Sequence, residues 1–217
     1  MPALVLERHR PTLGDLLRRA PLALKAGLAL LALVLVAGAA WLVLRRADPP
    51  RQVSYIVREP VAFNLRAGDV LVRRPVRGDE LLHVERRRGD LFLQSFAVSP
   101  LALAPYRGEA GGVLPIAADR EIEALARRWS EFELVQEGKT RINEVPGYAI
   151  VFQARLGERR LFGREVLLPE PRPGAREGVR LLILATPAAG VSRATEVGVR
   201  GVTKTPYRTF RFGVTPP

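Results

Sequence analysis

Cysteine is absent from the 217 residues. That excludes disulfides and thiolate metal sites, and it excludes a lipoprotein anchor, whose lipid is attached to a cysteine. It does not say which compartment holds the protein. Histidine is nearly as scarce: two in the chain, of which His83 alone follows residue 50. Clustered imidazole ligands are therefore excluded as well. No G-x-x-x-x-G-K-[ST], G-x-G-x-x-G or G-x-S-x-G motif occurs. Ser54, Ser95, Ser99 and Ser130 thus lack the sequence context of a nucleophile. His83 alternates with Leu82 and Val84 on a strand, which points it to a solvated face near Glu85 as a structural histidine. The expectation is a non-enzyme with no catalytic residue, no cofactor-binding residue and no metal ligand.

Lysine is also rare, with 3 Lys against 31 Arg. Such a bias, alongside abundant Ala, Gly, Pro, Leu and Val, is the mark of a GC-rich bacterial genome. It weakens any reading of the net charge of +12 as selection for polyanion binding. The clusters Arg73-Arg74 and Arg86-Arg87-Arg88 are interrupted by Asp79, Glu80, Glu85 and Asp90. They read as solvated loops or as contacts to an anionic membrane surface, and nucleic acid is disfavoured as a partner. Arg77-Gly78-Asp79 and Arg88-Gly89-Asp90 both spell RGD. Turn chemistry explains each copy, since Gly-Asp reverses a chain easily.

What is present is one long apolar run. Ala26 to Leu44 holds nineteen residues without a charge, closed by Lys25 on one side and Arg45-Arg46 on the other. A helix of that length spans roughly 30 Å, the hydrocarbon thickness of a bilayer, and Trp41 falls near one boundary. The run continues past the small-residue site Ala37-Gly38-Ala39, which favours an uncleaved anchor over a cleaved signal peptide. Five Lys/Arg precede the run and four follow it closely. That near balance, with the ability of a long folded domain to translocate, favours a cytoplasmic N-terminus.

The resulting organisation is a short basic tail (1–25), a transmembrane helix (26–44), a linker with Asp48-Pro49-Pro50 (45–52) and an extracytoplasmic domain (53–213). In the tail, 12–19 could form an amphipathic turn at the membrane surface, though topology-setting charge suffices to explain it. The domain reads as α+β, a largely antiparallel sheet packed with one long and one short helix. Strands are expected over 53–57, 63–65, 69–72, 80–85 and 91–98, then an irregular loop over 99–115. A helix follows from Ala118 to Ser130, with Ile122, Leu125 and Trp129 buried on the sheet. Strands resume at 132–136 and 139–142 around Glu137-Gly138, then at 148–155 and 160–168 around Gly157-Glu158. The most apolar strand, 179–186, should be central. A weak helix is expected within Val191–Val202, and Tyr207, Phe210 and Phe212 should pack back on the domain.

An apolar anchor, the strand Phe63-Asn64-Leu65, a hairpin, a helix, the segment Ile142-Asn143-Glu144-Val145-Pro146-Gly147-Tyr148, a second hairpin and a closing apolar strand follow in order. Over roughly residues 60–213 this order resembles the PsbP-like α/β/α domains, which include photosystem extrinsic subunits and bacterial envelope proteins of the DcrB type. The resemblance implies a non-enzymatic binding or assembly module and transfers no catalytic residue. The function expected is a single-pass, membrane-anchored bacterial envelope protein. Its partners would be the lipid bilayer and an envelope protein. The alternatives are a cytoplasm-facing tethered regulator that binds an acidic partner, and an enzyme with an unrecognised site around His83.

Overall fold

A computed structural model describes residues 21–46 and 51–215. The tail to residue 20 and linker positions 47–50 lie outside the described residues. The chain divides into two compact units, residues 1–49 and 50–217.

In the first unit, helix α1 runs over Leu22–Arg46. Its described apolar side chains, among them Leu30, Leu31, Leu33, Val34, Leu35 and Val36, are exposed at successive positions around the helix. Side chains 24, 25, 28 and 42–46 lie outside the described residues, which leaves Ala29 to Trp41 as the longest continuous stretch. Among the described residues, no helix is long and apolar enough to cross a membrane.

Among the described residues, the second unit is built on ten strands. A small sheet holds β1 (Gln52–Val57), β2 (Phe63–Gly68) and β10 (Arg211–Phe212) in the order β1-β2-β10. The large sheet holds β3 (Val72–Arg73), β4 (Leu82–Arg88), β5 (Leu91–Ala102), β6 (Ser130–Ile142), β7 (Val145–Leu156), β8 (Arg159–Pro169) and β9 (Glu177–Ala185). Its order is β3-β4-β5-β9-β8-β7-β6, antiparallel at every pairing. β9 is the fourth of seven, the central place its apolar run requires. Helix α2 (Leu114–Arg128) and the short α3 (Lys204–Thr209) complete the unit.

Strand alternation sorts the core into two layers. Leu181 and Ile183 of β9 face one way, with Leu82, Val84, Phe96 and Val98, and are covered by Phe63 and Leu65 of the small sheet and by Phe210. Leu182 and Leu184 face the other way, toward Phe152, Leu161, Leu167 and the α2 residues Leu114, Ala118 and Leu125. Each fully buried Leu or Ile stabilises the fold by about 1.5–3 kcal/mol. The expected return of the C-terminal segment is present. Phe210 stacks on Phe63 at 5.5 Å, and β10 pairs with β2 at Asn64 and Phe63.

Several boundaries differ from expectation. β5 runs on to Ala102 because Pro100 stays in register with Val179, and its carbonyl accepts a bond from Arg180 Nε at 3.1 Å. α2 starts earlier, at Leu114, with Pro115 in the first turn, where a helix has no use for the missing N–H. It also stops earlier, so Trp129 is an extended cap residue. Leu125 is buried, whereas Ile122 and Trp129 are half-buried. Glu137-Gly138 is no turn, since Gly138 pairs with Ala149 inside one continuous strand. The reversal falls at Asn143 and Glu144, with φ of 44° and 72°, the signature of a primed hairpin turn. β3 (Val72–Arg73) keeps only Val72 of the expected 69–72 strand. Val191–Val202 holds one 3₁₀ turn (Ala194–Glu196) rather than a helix, broken by Gly198 and Gly201 at positive φ. The short helix comes after it, as α3.

Candidate ligand groove beside the second helix

The strand register places His83, Ala97, Leu182 and Glu165 in one row across β4, β5, β9 and β8. The next row on the same face holds Glu85, Ser95, Leu184 and Gly163. α2 packs over β6 and β7. The β4–β5–β9 part of this face is instead closed in by the 77–80 turn and by the α2 C-terminal residues Arg128 and Trp129, around a cavity of about 160 Å³.

His83 is therefore not on a solvated face. Its neighbours Leu82 and Val84 point into the first core layer, as alternation requires, but the opposite face is roofed and leaves His83 only 7% exposed. Nδ1 lies 2.9 Å from Glu80 Oε2, and since a carboxylate only accepts, Nδ1 carries the proton there. Nε2 is buried without a hydrogen-bond partner, 3.8 Å from Glu85 Oε2. Glu85 is 6% exposed and is held by Arg74 Nε and Arg87 Nε, each at 3.0 Å from Oε1. The basic clusters thus supply counter-ions to a buried carboxylate, while both RGD segments are turns, with Gly78 and Gly89 at positive φ.

Next to the cavity floor sits a second buried acid. Glu165 is 4% exposed, with Oε2 unpartnered. Burial, seconded by the nearby Glu121 charge, pushes its carboxyl up to about 7 against the pull of Arg180 and Arg128. Arg180 bridges Glu121 of α2 at 2.9 Å and Asp79 of the 77–80 turn at 2.6 Å, tying the groove's helix wall to its loop wall.

Of the serines, Ser95 alone lines this cavity. Ser54 is exposed on β1, Ser99 lies half-buried further along β5, and Ser130 Oγ donates to the Arg155 carbonyl at 3.5 Å. No hydrogen bond among the described residues joins a serine hydroxyl to His83, and no group of three or more His, Asp or Glu is placed to hold a metal ion. A glutamate-oriented imidazole can bind or move a proton at Nε2. Sequence reasoning missed Arg77, Glu80, Arg128 and Trp129. Glu85 was within reach, because i and i+2 on a strand share a face. A larger, open depression of about 670 Å³ lies at the β6–β7 turn beside Arg211 and Phe212, but it contains no buried polar atom in need of a partner.

No family model and no curated protein matches the chain. Among solved structures, the chain is similar to LpqN of Mycobacterium tuberculosis, described as involved in cell envelope biogenesis. Identity is 8%, coverage is 77% of this chain and 94% of that one, and the TM-score is 0.53. At this identity the likeness shows a shared fold. PsbP of the cyanobacterium Synechocystis matches with 8% identity, 76% and 95% coverage and a TM-score of 0.46. A protein of unknown function from Pseudomonas aeruginosa matches with 17% identity, 64% and 85% coverage and a TM-score of 0.35.

Proposed function

We propose that this is a single-pass bacterial envelope protein whose domain is a non-catalytic binding or assembly module held outside the cytoplasm. The observation that carries the reading is α1: its described side chains are apolar and exposed at successive positions around the helix, and it precedes a separately compact α+β unit. A helix apolar on all sides needs an apolar surrounding, and a bilayer supplies one. The shared fold with LpqN, a protein of envelope biogenesis, supports the location. The element order over residues 60–213 supports the PsbP-like relationship. In this reading His83, oriented by Glu80, serves binding rather than catalysis.

Carbonate washing of membranes tests the anchor. The full-length chain is expected to stay in the pellet, and release of a form beginning near Ala40 would overturn it. The absence of cysteine makes the topology equally testable. Single cysteines at Thr12 and at the exposed Glu177 are exposed to a membrane-impermeant maleimide in intact cells. Labelling at Glu177→Cys alone supports the external domain. Labelling at Thr12→Cys alone refutes it and promotes the cytoplasmic regulator.

A further inference from the structure

We infer that the groove beside α2 binds a small apolar molecule carrying one carboxylate. The inference deepens the binding-module reading and rests on it for its purpose, while the geometry stands by itself. Size comes first. A cavity of about 160 Å³ is near the volume at which an engineered apolar cavity, about 150 Å³, accepts a benzene ring. Its floor is Ala97, Leu161, Leu182 and Leu184, which offers a ring or a branched aliphatic body a dry seat.

Charge comes second. Of the acids that line the groove, Glu85 is paired with Arg74 and Arg87, and Glu80 accepts from His83 Nδ1 and from the Arg77 backbone N–H at 2.9 Å, while Glu165 beside the floor keeps one oxygen unpartnered. Arg77 and Arg128 also line the cavity; neither makes a contact ion pair among the described residues, although Arg128 pulls on the Glu165 carboxyl. Arg128 is instead stacked over the Trp129 ring at 5.1 Å, which holds it at the groove's edge. The local surplus is positive and favours an anion.

Unmet hydrogen bonding comes third. Trp129 Nε1 is buried and lacks a partner, and Trp129 lines this cavity. The indole N–H can only donate, so the ligand head must accept. A carboxylate accepts from several donors at once and suits a planar guanidinium at the rim.

Titration of the full-length chain in lipid nanodiscs tests this. With Trp41→Phe, Trp129 is the sole indole and its emission reports on the groove. The probes are cyclohexanecarboxylate, cyclohexylmethanol, cyclohexylamine and inorganic phosphate, none of which absorbs where tryptophan does. Cyclohexanecarboxylate is expected to saturate the signal, with the alcohol at least tenfold weaker. Arg77→Gln and Arg128→Gln should each weaken the carboxylate several-fold and leave the alcohol unchanged, which separates a lost contact from a lost fold. Equal binding of acid and alcohol would overturn the inference, as would tighter binding of the amine. So would a matching response to phosphate, or no saturable response to any probe. Membrane anchoring has its own readout in the carbonate wash, so either conclusion can fail alone.

Discussion

Glu165→Gln should remove a pH dependence that the wild-type fold carries. Glu165 is buried on β8 with one oxygen unpartnered, and burial moves its carboxyl from an ordinary 4.5 to about 7. A carboxyl raised on folding binds its proton more tightly in the native state. Its contribution to stability is therefore complete below about pH 4.5, is lost as the pH climbs toward about 7, and stays lost above. The difference between 4.5 and about 7, at about 1.4 kcal/mol per pH unit, amounts to about 3 kcal/mol. Glutamine keeps the shape and carries no charge, so the variant should show no such fall. Urea unfolding, read from Trp129 emission in a Trp41→Phe background, measures both proteins between about pH 4 and about pH 9. With a urea slope of about 1–3 kcal/mol per molar, the midpoints should separate by about 1–3 M across the window, Glu165→Gln gaining. Glu121, Asp79, Arg180 and Arg128 face the same acid, but they are common to both proteins and cancel in the comparison. Parallel pH profiles would refute the reasoning, and so would a wild type that gains on the variant as the pH rises.

Two packing predictions accompany it. Leu125→Ala, which empties a buried seat under α2, should cost about 2–5 kcal/mol in chemical denaturation. Arg127→Ala, which breaks only the exposed pair with Glu123 at 3.7 Å, should stay within about 0.5 kcal/mol, and similar losses would mean the helix face is misassigned. Gly163→Ala should destabilise by at least about 1–3 kcal/mol, because a Cβ there would fall among the ring carbons of Phe152 across the β7–β8 pair. A thermal midpoint equal to wild type would show that the ring has room to swing aside.

The strong periodicities were legible. The 179–186 run announced the central strand, the spacing of Ile122, Leu125 and Trp129 announced α2, and Gly157-Glu158 announced a hairpin. Errors arose where a local signal met a tertiary constraint. Gly138 looked like a turn and is a ladder residue, because β7 pairs along the whole of β6. Trp129 fits the helical stripe, yet it sits at the cap and only half-buries its ring. The groove was illegible for a different reason. Alternation correctly put His83 opposite Leu82 and Val84, but periodicity names a face without saying what covers it. The cover comes from residues 77–80, just ahead of β4, and from residues 128–129, which sequence distance keeps apart from the β4–β5 floor.

The small sheet joins the start of the domain to its end. Beyond the β10–β2 pairing, Asn64 Nδ2 donates to the Gly213 carbonyl at 2.8 Å, and Thr209 Oγ1 accepts from the Arg66 N–H at 2.8 Å. Asn143 Nδ2, in the β6–β7 turn, donates to the Arg208 and Phe210 carbonyls at 2.8 and 2.6 Å. During synthesis the first strands must therefore wait for partners made some 150 positions later, and loop closure over that span slows their docking. A nascent chain halted before residue 204 would hold the large sheet's strands with Phe63 lacking its Phe210 partner. The small sheet closes only once residues 204–213 are in place, and cleavage within 204–213 should strip Phe210 from Phe63 and open that core face to proteases or chaperones.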